Sequence, residues 1–171
     1  LHSFPTRRSS DLIKTKKCIQ LVQNLYNANK PVIIWTLFRK SITNLRTLLD
    51  EIGIPSEEIT GGTSMDDRKI ILDKFLNNEI KVLITNPQTL AESVSLHSIC
   101  HDAIYYEYSY NLVHLLQSKD RIHRLGLPDN QYTQYYYLQT LFKIDDIDYS
   151  LDKMIYDRLK LKEHIMLEAV D

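Results

Sequence analysis

The chain has 171 residues, with 21 Lys and Arg against 22 Asp and Glu, a formal net charge of −1. That length suits one domain with a real core. The near-neutral charge excludes a protein that binds nucleic acid by bulk basicity, so any such contact has to be local. Two cysteines, Cys18 and Cys100, stand far apart with no CxxC pairing, as in a reducing compartment, and no apolar run nears the roughly 20 residues that span a bilayer. A cytoplasmic protein is expected.

The opening "LHSFPTRRSSDL", residues 1–12, has neither helical nor strand periodicity. It matches, residue for residue, the in-frame translation of a common DNA-sequencing adapter, its last codon completed to Leu. It is therefore set aside as non-native. Two units are expected: residues 1–12 as adapter scar, and 13–171 as one natural domain whose parent continues upstream of Ile13. Without Arg7, Arg8 and Asp11 the net charge becomes −2.

From Ile13 the apolar residues Ile19, Val22, Leu25 and Tyr26 form a helical stripe that ends near "NANKP". "PVIIWTLF" reads as a buried strand. In "SITNLRTLLDEIG", Ser41 is a candidate N-cap and Gly53 the stop. "EEIT" is a short strand, and Gly61-Gly62 then makes a loop able to approach a ligand closely. Ser64 and Asp67 resemble a capping box opening a helix with Ile70, Ile71, Phe75 and Leu76. "KVLIT" is a strand, "TLAESVSL" a short helix, "DAIYYE" a strand, Asn111 to His123 a helix, and "QYTQYYYLQT" a strand. A last amphipathic helix is expected over about 148–166.

Strands alternating with helices predict an α/β fold, a mainly parallel sheet with helices on both faces. Ligands of such sheets sit at the carboxyl ends of the strands, which points to the loops after Phe38, Thr60, Thr85 and Glu107. One further segment stands out. In "LLQSKDRIHRLG", Gln117, Arg121 and Arg124 follow at spacings of four and three, so on a helix they share one stripe. Two guanidiniums on one stripe suit charge developing on a transferring phosphoryl group. The alternative is a solvated basic face with Asp120 as internal ion-pair partner.

"QSKDRIHRLG" resembles motif VI of superfamily-two helicases, Q-x-x-x-R-x-x-R-x-G, and its spelling resembles the Snf-type ATPases. Further blocks follow in the family's order. "KPVIIWTLFRKSITNLRTLL" resembles motif IV, "ITGGTSMDDRKIILDKF" motif IVa, "KVLITNPQTLAESVSLHSICHDAIYYEYSYN" motif V with its following strand, and "SLDKMIYDRLKLKEHIM" the helix that closes the lobe. The resemblance implies the second, C-terminal RecA-like lobe, a three-layer α/β/α domain, of a double-stranded DNA translocase.

It also implies roles. Arg121 and Arg124 would be directed at ATP phosphates across a cleft to an N-terminal RecA-like lobe, with Arg124 as the finger. Gln117, Asp120 and Glu92 would support the nucleotide site, and His123 would lie between lobes. Gly62 and Thr63 would offer a backbone amide and a hydroxyl to a nucleic-acid phosphate, and Thr85 and Asn86 would lie on the nucleic-acid side. ATP and Mg²⁺ would be held mainly by the other lobe, because these 171 residues contain no G-x-x-x-x-G-K-[ST] loop. The motif V block "NPQTLAES" carries no glycine, unlike the usual remodeller spelling, which places the chain nearer a prokaryotic or viral branch. The rival readings are an RNA or strand-separating helicase lobe, and a catalytically silent scaffold. His97, Cys100 and His101 lack an evident fourth ligand, so a zinc site is not expected.

Overall fold

A computed structural model describes residues 7–90, 94–123, 131–144 and 147–169. In chain order the elements are α1 (Arg7–Asn27), β1 (Val32–Trp35), α2 (Arg39–Glu51), β2 (Ser56–Ile59), α3 (Met65–Leu76), β3 (Val82–Thr85), β4 (Asp102–Tyr105), α4 (Leu112–Asp120), β5 (Gln134–Tyr137), β6 (Phe142–Ile144), β7 (Ile147–Tyr149) and α5 (Leu151–Glu168). Strands β2-β3-β1-β4-β5 make a five-stranded sheet in which every pairing is parallel.

The alternation of side chains along the strands builds two cores. Ile33, Trp35, Leu83, Ala103 and Tyr105 point to one face, where Phe75 of α3, Leu115 of α4 and Leu159 of α5 cover them. Val32, Ile34, Val82, Ile84 and Ile104 point to the other, against Cys18, Val22 and Leu25 of α1 and Ile42, Leu45 and Leu49 of α2. The expected three-layer α/β/α arrangement follows directly. The central strands β1, β3 and β4 are buried along their whole length, which explains their unbroken apolar runs.

Four local expectations are corrected. The first helix starts at Arg7, inside the segment set aside, because a helix already nucleated and packed extends by one hydrogen bond per residue. Its early residues Leu12 and Ile13 remain 54% and 68% exposed, so the extension buries little. Ser41 is not an N-cap: α2 begins earlier, with Phe38 in the cap position and no side-chain cap bond. A carboxylate from another loop satisfies that end instead, as described below. No helix forms over "TLAESVSL" among the described residues; 87–90 are a turn and 94–96 are irregular. There Asn86 Oδ1 accepts the Gln88 amide at 2.8 Å, an Asx-type turn that competes with helix, and the Leu96 amide is bonded to the Arg121 carbonyl at 2.8 Å. The antiparallel hairpin β6–β7 was not expected at all.

Gly53, at φ +74°, does end the helix as expected, one residue beyond the C-cap Ile52. Ser64 caps α3 by accepting the Asp67 amide at 3.1 Å, while its hydroxyl donates to Asp67 Oδ2 at 2.7 Å.

Candidate functional site

The carboxyl ends of the strands are joined by three side chains acting on backbone. Glu107, just beyond β4, reaches the loop after β1. Its Oε2 accepts from Thr36 Oγ1 at 2.5 Å, the Leu37 amide at 3.1 Å and the Phe38 amide at 3.2 Å, and its Oε1 accepts from Ser41 Oγ at 2.7 Å. These amides lie at the amino end of α2, whose first N–H groups have no partner within the helix. Asn86, after β3, donates through Nδ2 to the Leu37 carbonyl at 3.1 Å. Arg68, on α3, donates through Nε to the Thr63 carbonyl at 3.0 Å, through Nη2 to the Thr60 carbonyl at 3.3 Å and through Nη1 to the Thr89 carbonyl at 3.3 Å.

The residues expected to meet nucleic acid stand on this edge, in different states. Gly62 is exposed, with its amide turned back to Thr60 Oγ1 at 3.3 Å. A Cβ at Gly62 would meet nothing closer than 3.8 Å, so space for a ligand exists there. Thr63 Oγ1 accepts the Thr60 amide at 2.9 Å, which shapes the loop from within. Thr85 is fully buried, its hydroxyl donating to the Ile59 carbonyl at 2.9 Å. With its hydroxyl so used, Thr85 ties β3 to β2 at the edge expected to face nucleic acid. Asn86 likewise spends its amide on the neighbouring loop.

The arginine segment lies at the other edge of the sheet. Helix α4 spans nine residues, about 13 Å at 1.5 Å per residue, comparable to a four-residue strand. It starts after β4 and runs back, so its last turn arrives where β5 begins. There His123 Nδ1 faces Thr133 Oγ1 at 3.2 Å. Arg121 is the C-cap, still in right-handed helical geometry, so the Gln117–Arg121 stripe persists. The helix ends before position 123, contrary to expectation. Arg124 and Glu92 lie outside the described residues.

Arg121 is half-buried, and its Nη1 donates to the Val94 carbonyl at 3.3 Å while its own carbonyl accepts the Leu96 amide. The segment following β3 and the end of α4 are thereby clasped from both sides. Beside them a cavity of about 420 Å³ is lined by Lys119, Asp120, His123, Thr133 and Tyr135. Asp120 is exposed on its wall. Lys119 donates to Glu163 of α5 at 2.7 Å. Burial lifts the Glu163 carboxyl, but hydrogen bonds from Lys119 and Lys160 more than reverse this and hold it below its ordinary value.

The profile of the helicase conserved C-terminal domain matches residues 13–126, two-thirds of the chain. The chain belongs to this family. Over 96% of its length the lobe is 24% identical to the ATP-dependent helicase FUN30 of Saccharomyces cerevisiae, covering 14% of that protein. It is 27% identical over 96% of its length to the uncharacterized ATP-dependent helicase YqhH of Bacillus subtilis, covering 28% of it. The chain therefore spans between about a seventh and a quarter of these relatives. A crystal structure of the C-terminal part of the Fun30 ATPase domain superposes with a TM-score of 0.70 at 22% identity, over 85% of the lobe and 44% of that chain, and shares the fold. The lobe is a C-terminal RecA-like lobe of the superfamily-two, Snf-type group. Relatives from a yeast and a bacterium do not support the expected prokaryotic or viral branch. Among the described residues no helix is long and apolar enough to cross a membrane.

Sequence reasoning named Gln117, Arg121, Gly62 and Asn86 as candidates and passed over Glu107 and Arg68, whose bonds tie the loops of the carboxyl edge. The signal available for Glu107 was a lone carboxylate directly after a buried strand.

Proposed function

We propose that this lobe is the second half of an ATP-dependent double-stranded DNA translocase. The observation that carries the reading is the placement of Arg121, at the end of α4 and clasped to the segment after β3, within the stretch matched as helicase. Arg121 and Arg124 are the guanidiniums offered to ATP phosphates across the cleft to an N-terminal lobe. Arg124 is the finger, and Gln117, Asp120 and Glu92 arrange the nucleotide side. Gly62 and Thr63 meet DNA phosphates, contacts that position the lobe and carry no sequence information. Thr85 and Asn86 lie on the same, nucleic-acid side, Thr85 tied to β2 and Asn86 to the loop after β1.

Mg²⁺ finds no site among the described residues of this chain. Among the described residues no group of three or more His, Cys, Asp or Glu could hold a metal ion. The triphosphate and its metal belong to the other lobe, so the fragment alone is expected to be inactive.

The test is ATP hydrolysis by the full-length parent with double-stranded DNA, single-stranded DNA or RNA. Arg124→Ala should lower the stimulated rate by about 10³ or more while DNA affinity stays within about twofold. Equal loss of rate and affinity would make Arg124 structural. Stimulation by RNA alone would favour an RNA helicase, and no hydrolysis in the wild-type parent would favour a silent scaffold.

We also propose that residues 1–12 are adapter-derived. The helicase match starts at Ile13. Resequencing the source DNA from an independent library should replace these codons; finding them again would make the segment native.

A further inference from the structure

Three guanidinium bonds from one residue join two loops here. Arg68 grips the Thr60 and Thr63 carbonyls on either side of Gly61-Gly62, and with its remaining arm the Thr89 carbonyl of the loop after β3. The side chain is half-buried, and the planar fork fixes the direction of each bond. From Thr89 the chain passes into the core at Leu90, which is 4% exposed. It re-enters the described residues at Val94, whose carbonyl receives Arg121. The exposed Gly62 loop and the Arg121 clasp thus hold the same connection between β3 and β4, one at Thr89 and the other at Val94.

No other tie among the described residues joins the loop after β2 to the loop after β3 by so many bonds. Thr85 Oγ1 holds the Ile59 carbonyl, but inside the sheet, where both strands are already paired. Beyond the sheet the Gly62 loop folds on itself through Thr60 and Thr63, so without Arg68 it would answer to a ligand by itself.

We propose that Arg68 is a positioning residue that makes the loops after β2 and β3 move as one piece, so that a backbone phosphate engaged at Gly62–Thr63 shifts the segment clasped by Arg121. The proposal rests on the translocase reading. Arg68 itself touches neither nucleotide nor nucleic acid in this role. Its donors face carbonyls, and its effect is the stiffness of the joint.

The experiment uses the full-length parent and reads the ratio of DNA-stimulated to basal ATP hydrolysis at saturating double-stranded DNA, together with the Kd for that DNA. Wild type, Arg68→Gln and Arg68→Lys are compared. A wild-type ratio near one would sink the translocase reading itself, before Arg68 is considered. With a wild-type ratio well above one, Arg68→Gln should lower it about tenfold. Arg68→Lys, which keeps the charge but not the three-way fork, should lower it comparably and serves if the glutamine variant does not fold. Both rates falling by the same factor would overturn the proposal in favour of a plain structural staple. An unchanged ratio with a Kd raised about tenfold would overturn it in favour of a direct phosphate contact, and an unchanged ratio with unchanged Kd would show that the joint is idle.

Discussion

Replacing Glu107 by alanine removes one acceptor that serves four donors from the segment 36–41. The cost can be worked from where each donor is left. Thr36 is 0% exposed, so its hydroxyl loses its partner where water does not readily replace it. Leu37 is half-buried, whereas Phe38 is 62% exposed and its amide can turn to solvent. A buried donor left unmet costs about 1–3 kcal/mol, and loss of a helix N-terminal acceptor costs about 0.5–2 kcal/mol. With solvent relieving Phe38 and Ser41, the sum is about 2–4 kcal/mol. At about 2–4 °C per kcal/mol for a chain of this size, Tm should fall by about 4–16 °C. Thermal and urea unfolding followed by circular dichroism measure it, with Glu51→Ala on the exposed end of α2 as control. Glu107→Gln keeps one accepting oxygen and should fall between the two. A Glu107→Ala chain within about 0.5 kcal/mol of wild type would refute the view that this carboxylate organises the carboxyl edge.

Two further outcomes follow from titrating groups. Burial pushes the Cys18 and Cys100 thiols up to about 12, so neither should react with a disulfide reagent at pH 8 in the native chain, and both should react in 6 M guanidinium. Rapid native labelling at either position would contradict its packing. Burial also holds His101 below its ordinary value, with Asp102 pulling it up and His97 pushing it down. The unfolded chain then binds that proton more readily, so stability should drop as pH falls through about 6.5. Glu163, held low in the folded chain, contributes stability above its unfolded value that is lost as pH falls through the folded one. Urea midpoints from pH 8 down to about pH 3 should show both steps. His101→Gln should flatten only the first and Glu163→Gln only the second, and a slope untouched by either variant would assign the acid loss elsewhere.

The central strands β1, β3 and β4 were legible because they are buried on both faces. "VIIW", "VLIT" and "AIY" have nowhere polar to point, and composition alone marks them. Helix α2 was legible through Ile42, Leu45 and Leu49, which all enter the core. Its start was not, because the group that satisfies it is 66 to 71 residues away in sequence and comes from a different loop. Arg68 was hidden for a related reason. Its partners are three carbonyls, groups every residue carries, so nothing in the side-chain pattern marks the bond. The stretch after β3 misled because its apolar residues permit a helical stripe, while Asn86 and Arg121 draw its backbone into other bonds. Hairpin β6–β7 escaped because two three-residue strands are too short for periodicity.

The rule that parallel sheets bind ligands at the carboxyl ends of their strands covers only half of this lobe. It covers Gly62, Thr63 and Asn86, which lie in the loops that follow β2 and β3. It does not cover Arg121, because a helix as long as the strand it follows delivers its last turn to the opposite edge. Two ligands engaged at opposite edges cannot share contacts, so any influence of one on the other must pass through protein. Among the described residues, Asn86 and Thr89 stand after β3 at one edge, and Val94, further along the same connection, meets Arg121 at the other.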